Sequence, residues 1–529
     1  MGIERKNRLE SKEINSLMEM PVDKPNTFAF MNVGHVIDPS LESPTAQAVQ
    51  EYYGSRAYAL VTRDDMGILI NNVDEWFAEY QERIRGYKTK ITDFKCLAPK
   101  QIIRHYMPNR KLYQLGEDVE LAGIKSENSL FLLETYNNKY SIALIFNDAE
   151  ISSHLAYEGI IEEGRRAAPK PTESSRENLP DTISKRLMEI VNLYEDNEET
   201  IKNKYEESGL IYIPHPARVM VRPSWGGGSY EAFWVEHIGK KSESGEELYK
   251  VCFSGAEPVE MSLSALEKIL NEQNGAIEKY TITRFLQVID VPGTNFYNFG
   301  DGKEGCYVAP VHGQILEGTM CMGTTTQISP LEETIGLYFY DGSPLSCQRA
   351  RETCTEKVRE FTKYISLEMN KAGIRGFGGT DIMITGFFEK ALAETLQGTD
   401  KEDEAVGSVA IAEVNTRPTQ RTMHLLTQIS IFKKVKGTYN QPITSGEVID
   451  WYEKSGRSLF YTSHDKWRFP DGAFERLKER TDLLAGINGK TEGAYIIMPD
   501  INGQGYAGIG IMSESPEKLT YFLEELTKI

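Results

Sequence analysis

The sequence predicts a multidomain chain of mixed α/β and α+β class, and three observations point there. Its 529 residues, 40% of them apolar, suffice for about three domains of roughly 100–200 residues each. Strand-like and helix-like patterns alternate through the first third, as in a layered α/β unit. Beyond it, short strands and glycine loops are interleaved with long helical patterns.

The elements follow in order. Residues 1–25 are charged and without pattern. TFAFMNVGHVI (27–37) reads as a buried strand, and AYALVTRDDMGILI (57–70) as a strand, a polar turn and a short apolar run. NNVDEWFAEYQERIRGY (71–87) reads as a helix with Val73, Trp76, Phe77 and Tyr80 on one face. NKYSIALIFND (138–148) is again a strand. The polar, proline-containing stretch 163–181 marks a boundary.

A long helix is expected over 184–209, then a strand at 217–223, a glycine loop SWGGGS (224–229) and two more strands. The stretch 262–275 reads as a helix ended by glycine, where a positive φ costs little. YTITRFLQVI (280–289) reads as one strand. Val358, Phe361, Ile365 and Met369 recur at helical spacing within 346–372. At the end, 493–513 reads as two strands about a glycine turn. Ser515 is the expected N-cap of a last helix, with Pro516 at its first position.

The formal charge of −19 and the pI near 5.1 argue against a sequence-independent grip on nucleic acid, which needs clustered positive charge. The six cysteines (96, 252, 306, 321, 347 and 354) form no CxxC pair, so neither a zinc site nor a disulfide framework is expected. No signal peptide or membrane span is read from the sequence. A reducing cytoplasm is the expected location.

The chemistry concentrates in AIAEVNTRPTQRT (410–422). Strand side chains alternate between faces, so Glu413, Asn415 and Arg417 point the same way, about 7 Å apart. GFGGTDIMIT (376–385) supplies a second strand, with Asp381 at its start. Paired antiparallel across an acidic, exposed connection (389–405), the two strands bring Asp381 beside Glu413 and Asn415. Two carboxylates and an amide oxygen make a hard, oxygen-only site of the kind magnesium prefers; the plain alternative is a solvated polar sheet face. Upstream, VMVRPSWGGGSY (219–230) sets a cation and three glycines after a strand. Such a loop suits a phosphate cradle, although a glycine-rich hairpin is more often only a turn. His312 and His424, each isolated, read as structural before catalytic.

In this order, these segments resemble the ATP-grasp carboxylate–amine ligases, and most closely their pheganomycin-type peptide ligases. LPDTISKRLMEIV (179–191), YIPHP (212–216), ITRFLQVIDVPGTNFYNFGDG (282–302), HGQILEGTMCMG (312–323) and the C-terminal GAYIIMPDINGQGYAGIGIMS carry the likeness alongside the two motifs above. The resemblance implies a pre-ATP-grasp Rossmann-like domain (1–165), an ATP-grasp N-lobe (166–290), a C-lobe with the metal site (291–430) and a small α+β C-terminal domain (431–529).

It also implies roles. Asp381, Glu413 and Asn415 would hold Mg²⁺ against the phosphates of ATP. Arg417 and Arg222 would be catalytic. Lys185, Arg222, Gly226, Gly227, Gly228, Phe285 and Leu286 would bind ATP, and Arg421 a substrate anion. The implied reaction activates a carboxylate as an acylphosphate and joins it to an amine of an amino acid or peptide. A phosphotransferase using the same nucleotide site, or a non-catalytic nucleotide-binding scaffold, are the alternatives. A homodimer through the C-terminal domain is one option for assembly. The chain departs from the family pattern in having Arg222 for the usual phosphate lysine, Thr283 for a hinge acid, and Gly379 and Thr380 where an arginine often precedes the metal-binding aspartate.

Overall fold

A computed structural model of the chain describes residues 27–31, 55–60, 66–70, 75–88, 90–93, 131–132, 141–145, 168–223, 232–253, 256–272, 279–298, 305–317, 320–326, 347–371, 376–415, 419–441, 443–468, 472–487, 489–499 and 506–529. Its architecture is mixed α/β and α+β, built on four sheets.

The first sheet joins β1 (Thr27–Met31), β2 (Met66–Ile70), β3 (Lys90–Asp93), β4 (Phe131–Leu132) and β5 (Ser141–Ile145) in the order β3-β2-β1-β5-β4. All its pairings are parallel except that of β4 with β5, as a crossover-linked α/β unit requires. One expectation fails here. Residues Ala57–Leu60, read as a strand, form a helical turn, since a short apolar run does not by itself distinguish strand from helix.

The second sheet is antiparallel, with β6 (Thr172–Ser175), β7 (Arg218–Pro223), β8 (Phe233–Lys241), β9 (Glu247–Phe253), β10 (Val259–Met261) and β11 (Lys279–Arg284) in the order β10-β9-β8-β7-β11-β6. Its apolar face is covered by the helix Leu179–Glu207, which starts with proline in its first turn, where a missing N–H costs nothing. Ile183, Leu187 and Ile190 of that helix pack with Val219, Val221, Val235 and Ile282. Further along, Leu193, Ile201 and Tyr205 leave this core for another, made with Phe387, Phe388, Leu392 and Leu396. One helix thus spans two cores.

The third sheet contains β12 (Val288–Asp290), β13 (Gly293–Asn298), β14 (Cys306–Val308), β17 (Gly376–Thr385) and β18 (Val409–Asn415). The stretch read as one strand over 280–289 is divided: β11 ends at Arg284 in the second sheet and β12 starts at Val288 in the third. The helix Cys347–Lys371 lies on this sheet through Val358, Phe361 and Ile365, as its spacing predicts.

The fourth sheet runs β15-β16-β19-β21-β20, from β15 (Gly313–Glu317), β16 (Met320–Thr325), β19 (Phe460–Arg468), β20 (Gly493–Met498) and β21 (Tyr506–Ser513). It crosses the boundary expected at 430/431, because the hairpin 313–325 pairs with β19 and not with the third sheet. The packing of the helix Glu75–Arg85 reaches across the expected units too: Phe77, Tyr80 and Ile84 share one core with Met423, Ile429, Ile496 and Ile509. Ser515 caps the last helix, Pro516–Thr527, its side chain accepting from the Lys518 N–H, as expected. Among the described residues no helix is long and apolar enough to cross a membrane.

The β16–β19 junction depends on Gly323. A Cβ there would run into the backbone of Ser463, whose carbonyl carbon would lie 2.8 Å away, and into His464 Cα at 3.0 Å. Both neighbours are main chain in a paired strand and cannot swing aside. Gly323→Ala should destabilise the protein by about 1–3 kcal/mol, read as a lowered urea midpoint.

Candidate active site

The site is laid out by strand register in the third sheet. Along β17, Asp381 faces Gly293 of β13 on one side and Glu413 of β18 on the other. Two residues back, Gly379 faces Asn295 and Asn415. Alternation puts both rows on one face of the sheet. Asp381, Glu413 and Asn415 are therefore brought together, and the antiparallel pairing expected of their strands is present. Asp381 lies in the middle of its strand, not at its start.

The register shifts immediately after the Asp381–Glu413 pair, Ile382 pairing with Ile411. Ala412 is the extra residue of a β-bulge, a device that re-aims the strand locally. Its freed carbonyl accepts a 2.6 Å hydrogen bond from Arg222 Nη1. Arg222 stands at the end of β7 in the second sheet, so this bond joins the two sheets at the acidic pair. Burial lowers the Arg222 pKa, and the charge of Glu413 works against that.

The connection over 389–405 is the exposed acidic segment expected only in part: Glu394 and residues 397–400 are exposed, while Glu389 and Glu404 are buried. It forms the helix Phe387–Leu396 and a 3₁₀ turn, Glu402–Glu404. Glu389 is fully buried within it, because it meets a charge from a strand more than a hundred residues away: Arg284 donates Nη2 to Glu389 Oε2 at 2.8 Å and Nη1 to Oε1 at 3.0 Å.

Three further residues shape the face. Gln314 Nε2 donates to Asp381 Oδ1 at 2.6 Å. Gly293 carries no Cβ, and one there would meet His312 Nε2 at 2.6 Å and Asp381 Oδ1 at 3.3 Å; glycine lets the His312 ring lie against the strand beside Asp381. Asn295, 1% exposed, donates Nδ2 to Thr419 Oγ1 at 2.6 Å and to the Gly378 carbonyl at 3.2 Å. Gln314 lies in a segment the sequence singled out without a role for it. Gly293 and Asn295 carried no local signal, since their place depends on pairing with a strand some eighty positions later. Asn295→Ala, which unties Thr419 from the sheet, should cost about 1–3 kcal/mol in urea unfolding.

These donors suit a hard divalent cation. Two carboxylates directly opposite each other on adjacent strands repel, and an ion between them removes that cost; all the oxygen atoms offered are of the type Mg²⁺ takes. Among the described residues no three His, Cys, Asp or Glu gather as a metal site, so the set is two carboxylates and an amide.

The remaining expected residues are placed as follows. Phe285 and Leu286 lie between β11 and β12, the first half-buried and the second 4% exposed. The Phe285 N–H donates to the Arg218 carbonyl at 3.0 Å. Lys185 is exposed on the helix Leu179–Glu207. Gly226, Gly227, Gly228 and Arg417 lie outside the described residues.

Arg421 is 2% exposed in the helix Gln420–Val435. Its guanidinium lies 3.2 Å from the Tyr461 ring centroid and donates Nη2 to Ser455 Oγ at 2.5 Å, while buried Nη1 has no hydrogen-bond partner among the described residues. Burial lowers its pKa. His312 is held neutral, its pKa brought down to about 3 by burial and by the nearby Arg421 charge. His424 is fully buried against Tyr495, its Nδ1 3.0 Å from the hydroxyl, in keeping with a structural role.

No family model matches the chain, and no curated protein does. Solved structures are similar to it over nearly their full lengths. N5-carboxyaminoimidazole synthase from Aspergillus clavatus, in complex with ADP, matches at 11% identity and a TM-score of 0.42, over 96% of this chain and 99% of that one. The N5-carboxyaminoimidazole synthetase of Staphylococcus aureus complexed with ADP matches at 8% and 0.41, over 96% and 98%. The L-amino acid ligase from Bacillus licheniformis matches at 12% and 0.35, over 96% and 98%. All three TM-scores are below 0.5, and the chemistry of the site rests on its own residues.

Proposed function

We propose that this protein is an ATP-dependent carboxylate–amine ligase of the ATP-grasp type, forming an amide bond between amino acids or peptides with release of ADP and phosphate. The observation that carries the reading is the meeting of two sheets at one acidic pair: Asp381 and Glu413 in register, with Arg222 reaching across to the bulge carbonyl beside them.

In this reading Asp381, Glu413 and Asn415 hold Mg²⁺, which when bound offsets negative charge on the β- and γ-phosphates. Arg222 presents a fixed guanidinium to the same phosphates, Gly226, Gly227 and Gly228 cradle them, and Lys185 adds a further cation. Phe285 and Leu286 line the adenine side. Arg417 steadies the transferring phosphoryl group, and the unpartnered Nη1 of Arg421 takes an anionic group of the substrate.

The acid's carboxylate oxygen attacks the γ-phosphorus, a C–O–P linkage forms, and ADP departs. The lone pair of the amine then attacks the acyl carbon, phosphate leaves with the C–O bonding electrons, and the nitrogen loses its proton. A bare carboxylate has no comparable leaving group. The protein's contribution is orientation, charge neutralisation and exclusion of water from the acylphosphate. The same reading assigns the protein to the cytoplasm and divides the chain into an N-terminal Rossmann-like unit, two grasp lobes and a C-terminal unit. The hairpin 313–325 is then counted with the C-terminal sheet it joins.

The test is a panel of amino acids and peptides with MgATP, scored by phosphate release and product mass. Phosphate should appear only when acid and amine are both present, and hydroxylamine in place of the amine should yield a hydroxamate. ADP formed together with a stable phosphorylated product, and no hydroxamate, would identify a phosphotransferase instead.

A further inference from the structure

Resting on the proposed nucleotide role of Phe285 and Leu286, we propose that a buried cluster of two arginines and two glutamates positions that hinge for ATP. The arginines sit with the second sheet: Arg186 on its covering helix Leu179–Glu207 and Arg284 at the last position of β11. The glutamates sit in the connection between β17 and β18 of the third sheet: Glu389 in the helix Phe387–Leu396 and Glu404 in the turn Glu402–Glu404. Arg186 Nη2 meets Glu404 Oε1 at 2.6 Å. Arg284 and Glu389, both with fully buried side chains, form the two-pronged pair described above. Arg284 Nη2 also donates to the Glu404 carbonyl at 2.9 Å, and Nη1 to the Tyr194 hydroxyl at 3.2 Å.

The cluster extends to the hinge through Gln287. Its backbone N–H donates to Glu389 Oε1 at 2.9 Å, its carbonyl accepts from the Gly386 N–H at 2.9 Å, and its side-chain Oε1 accepts from the Phe388 N–H at 2.9 Å. One side of Leu286 is therefore tied to the start of the helix Phe387–Leu396. The other side is tied to the second sheet, through the Phe285 N–H and the Arg218 carbonyl. Leu286 lies between an anchor on the second sheet and an anchor on the helix Phe387–Leu396; the core shared by the helices Leu179–Glu207 and Phe387–Leu396 holds the two together, and the ion cluster adds a fixed distance and angle.

A buried ion cluster is a poor device for stability alone, since apolar residues of similar volume often serve as well or better. Its distinguishing property is direction. A two-pronged guanidinium–carboxylate pair fixes distance and angle together, whereas an apolar contact tolerates sliding. Arg284, Glu389 and Gln287 are positioning residues in this scheme, with no contact to the nucleotide.

The double variant Arg284→Met/Glu389→Leu separates orientation from stability. It removes both charges and the acceptor of the Gln287 N–H while filling the space. The urea midpoint should stay near that of the wild type. The MgATP dissociation constant, read by calorimetry, should weaken about tenfold or more, with KM for ATP rising in step and kcat at saturating ATP changing less than about threefold. Should the double variant not fold, Arg284→Lys decides: it keeps the buried charge opposite Glu389 but not the two-pronged geometry, and MgATP affinity should fall at least about threefold while kcat at saturating ATP changes less than about threefold. A folded variant that binds MgATP like the wild type overturns the proposal. Wild-type protein that binds no MgATP overturns the nucleotide reading itself, and this inference with it.

Discussion

Glu413→Ala is expected to lower ATP turnover about 10²–10³-fold without loss of the fold. The side chain is half-buried, faces the like charge of Asp381 and supports the charge of Arg222, so its removal relieves one repulsion and gives up one attraction, and the two largely offset. Stability should stay within about 0.5 kcal/mol of the wild type, measured by urea unfolding alongside ADP release. Asp381→Asn, which keeps the Gln314 contact geometry, should be similarly impaired. If Glu413→Ala consumes ATP at the wild-type rate, Glu413 is a solvated strand residue and the metal assignment is wrong.

The second large effect concerns stability. Glu389→Ala should cost about 3–5 kcal/mol, because Arg284 remains buried and charged with its main partner gone. Burial on its own lowers the Arg284 pKa, but Glu389, Tyr194 and Glu404 together outweigh it and raise the pKa well above normal. Glu389 supplies most of that opposition to burial, and a guanidinium, whose ordinary pKa is already very high, stays charged without it. Glu394 of the same helix is the internal comparison: its bond to Lys204 is half in solvent, so Glu394→Ala should cost only about 0–1 kcal/mol. Equal urea midpoints for the two variants would show that the cluster is not the buried, interdependent unit described.

Much of the acidic face was legible from spacing. Glu413 and Asn415 stand two apart in an alternating strand, and alternation alone puts them on one side. Asp381 was legible as the single charge in the apolar run GFGGTDIMIT. Its pairing with Glu413 followed from the antiparallel expectation, and the register agrees. The bulge at Ala412 was not legible, since an extra residue in a ladder is defined only by the partner strand. The bond from Arg222 depends on that bulge and was hidden for the same reason.

The error over 389–405 has a related cause. Six acidic residues lie within 17 positions (Glu389, Glu394, Asp400, Glu402, Asp403 and Glu404), and such a run normally faces water. Two of the glutamates are instead buried by arginines 105 and 218 positions away. Local composition cannot report a compensating charge at that separation. The hairpin 313–325 behaves likewise: its pairing with β19 joins residues some 140 positions apart.

What the amino-acid order determined by itself is what nearest neighbours along the chain decide. Helical periodicity marked Cys347–Lys371, proline and serine set the last helix's start, and alternation gathered the polar face of β18. Only the tertiary structure decided which strands lie side by side, and hence that Gly293, Asn295 and Gln314 attend Asp381 and that Arg284 meets Glu389. Those choices come from burying whole faces and pairing distant charges, and that free energy has no counterpart in any short window of sequence.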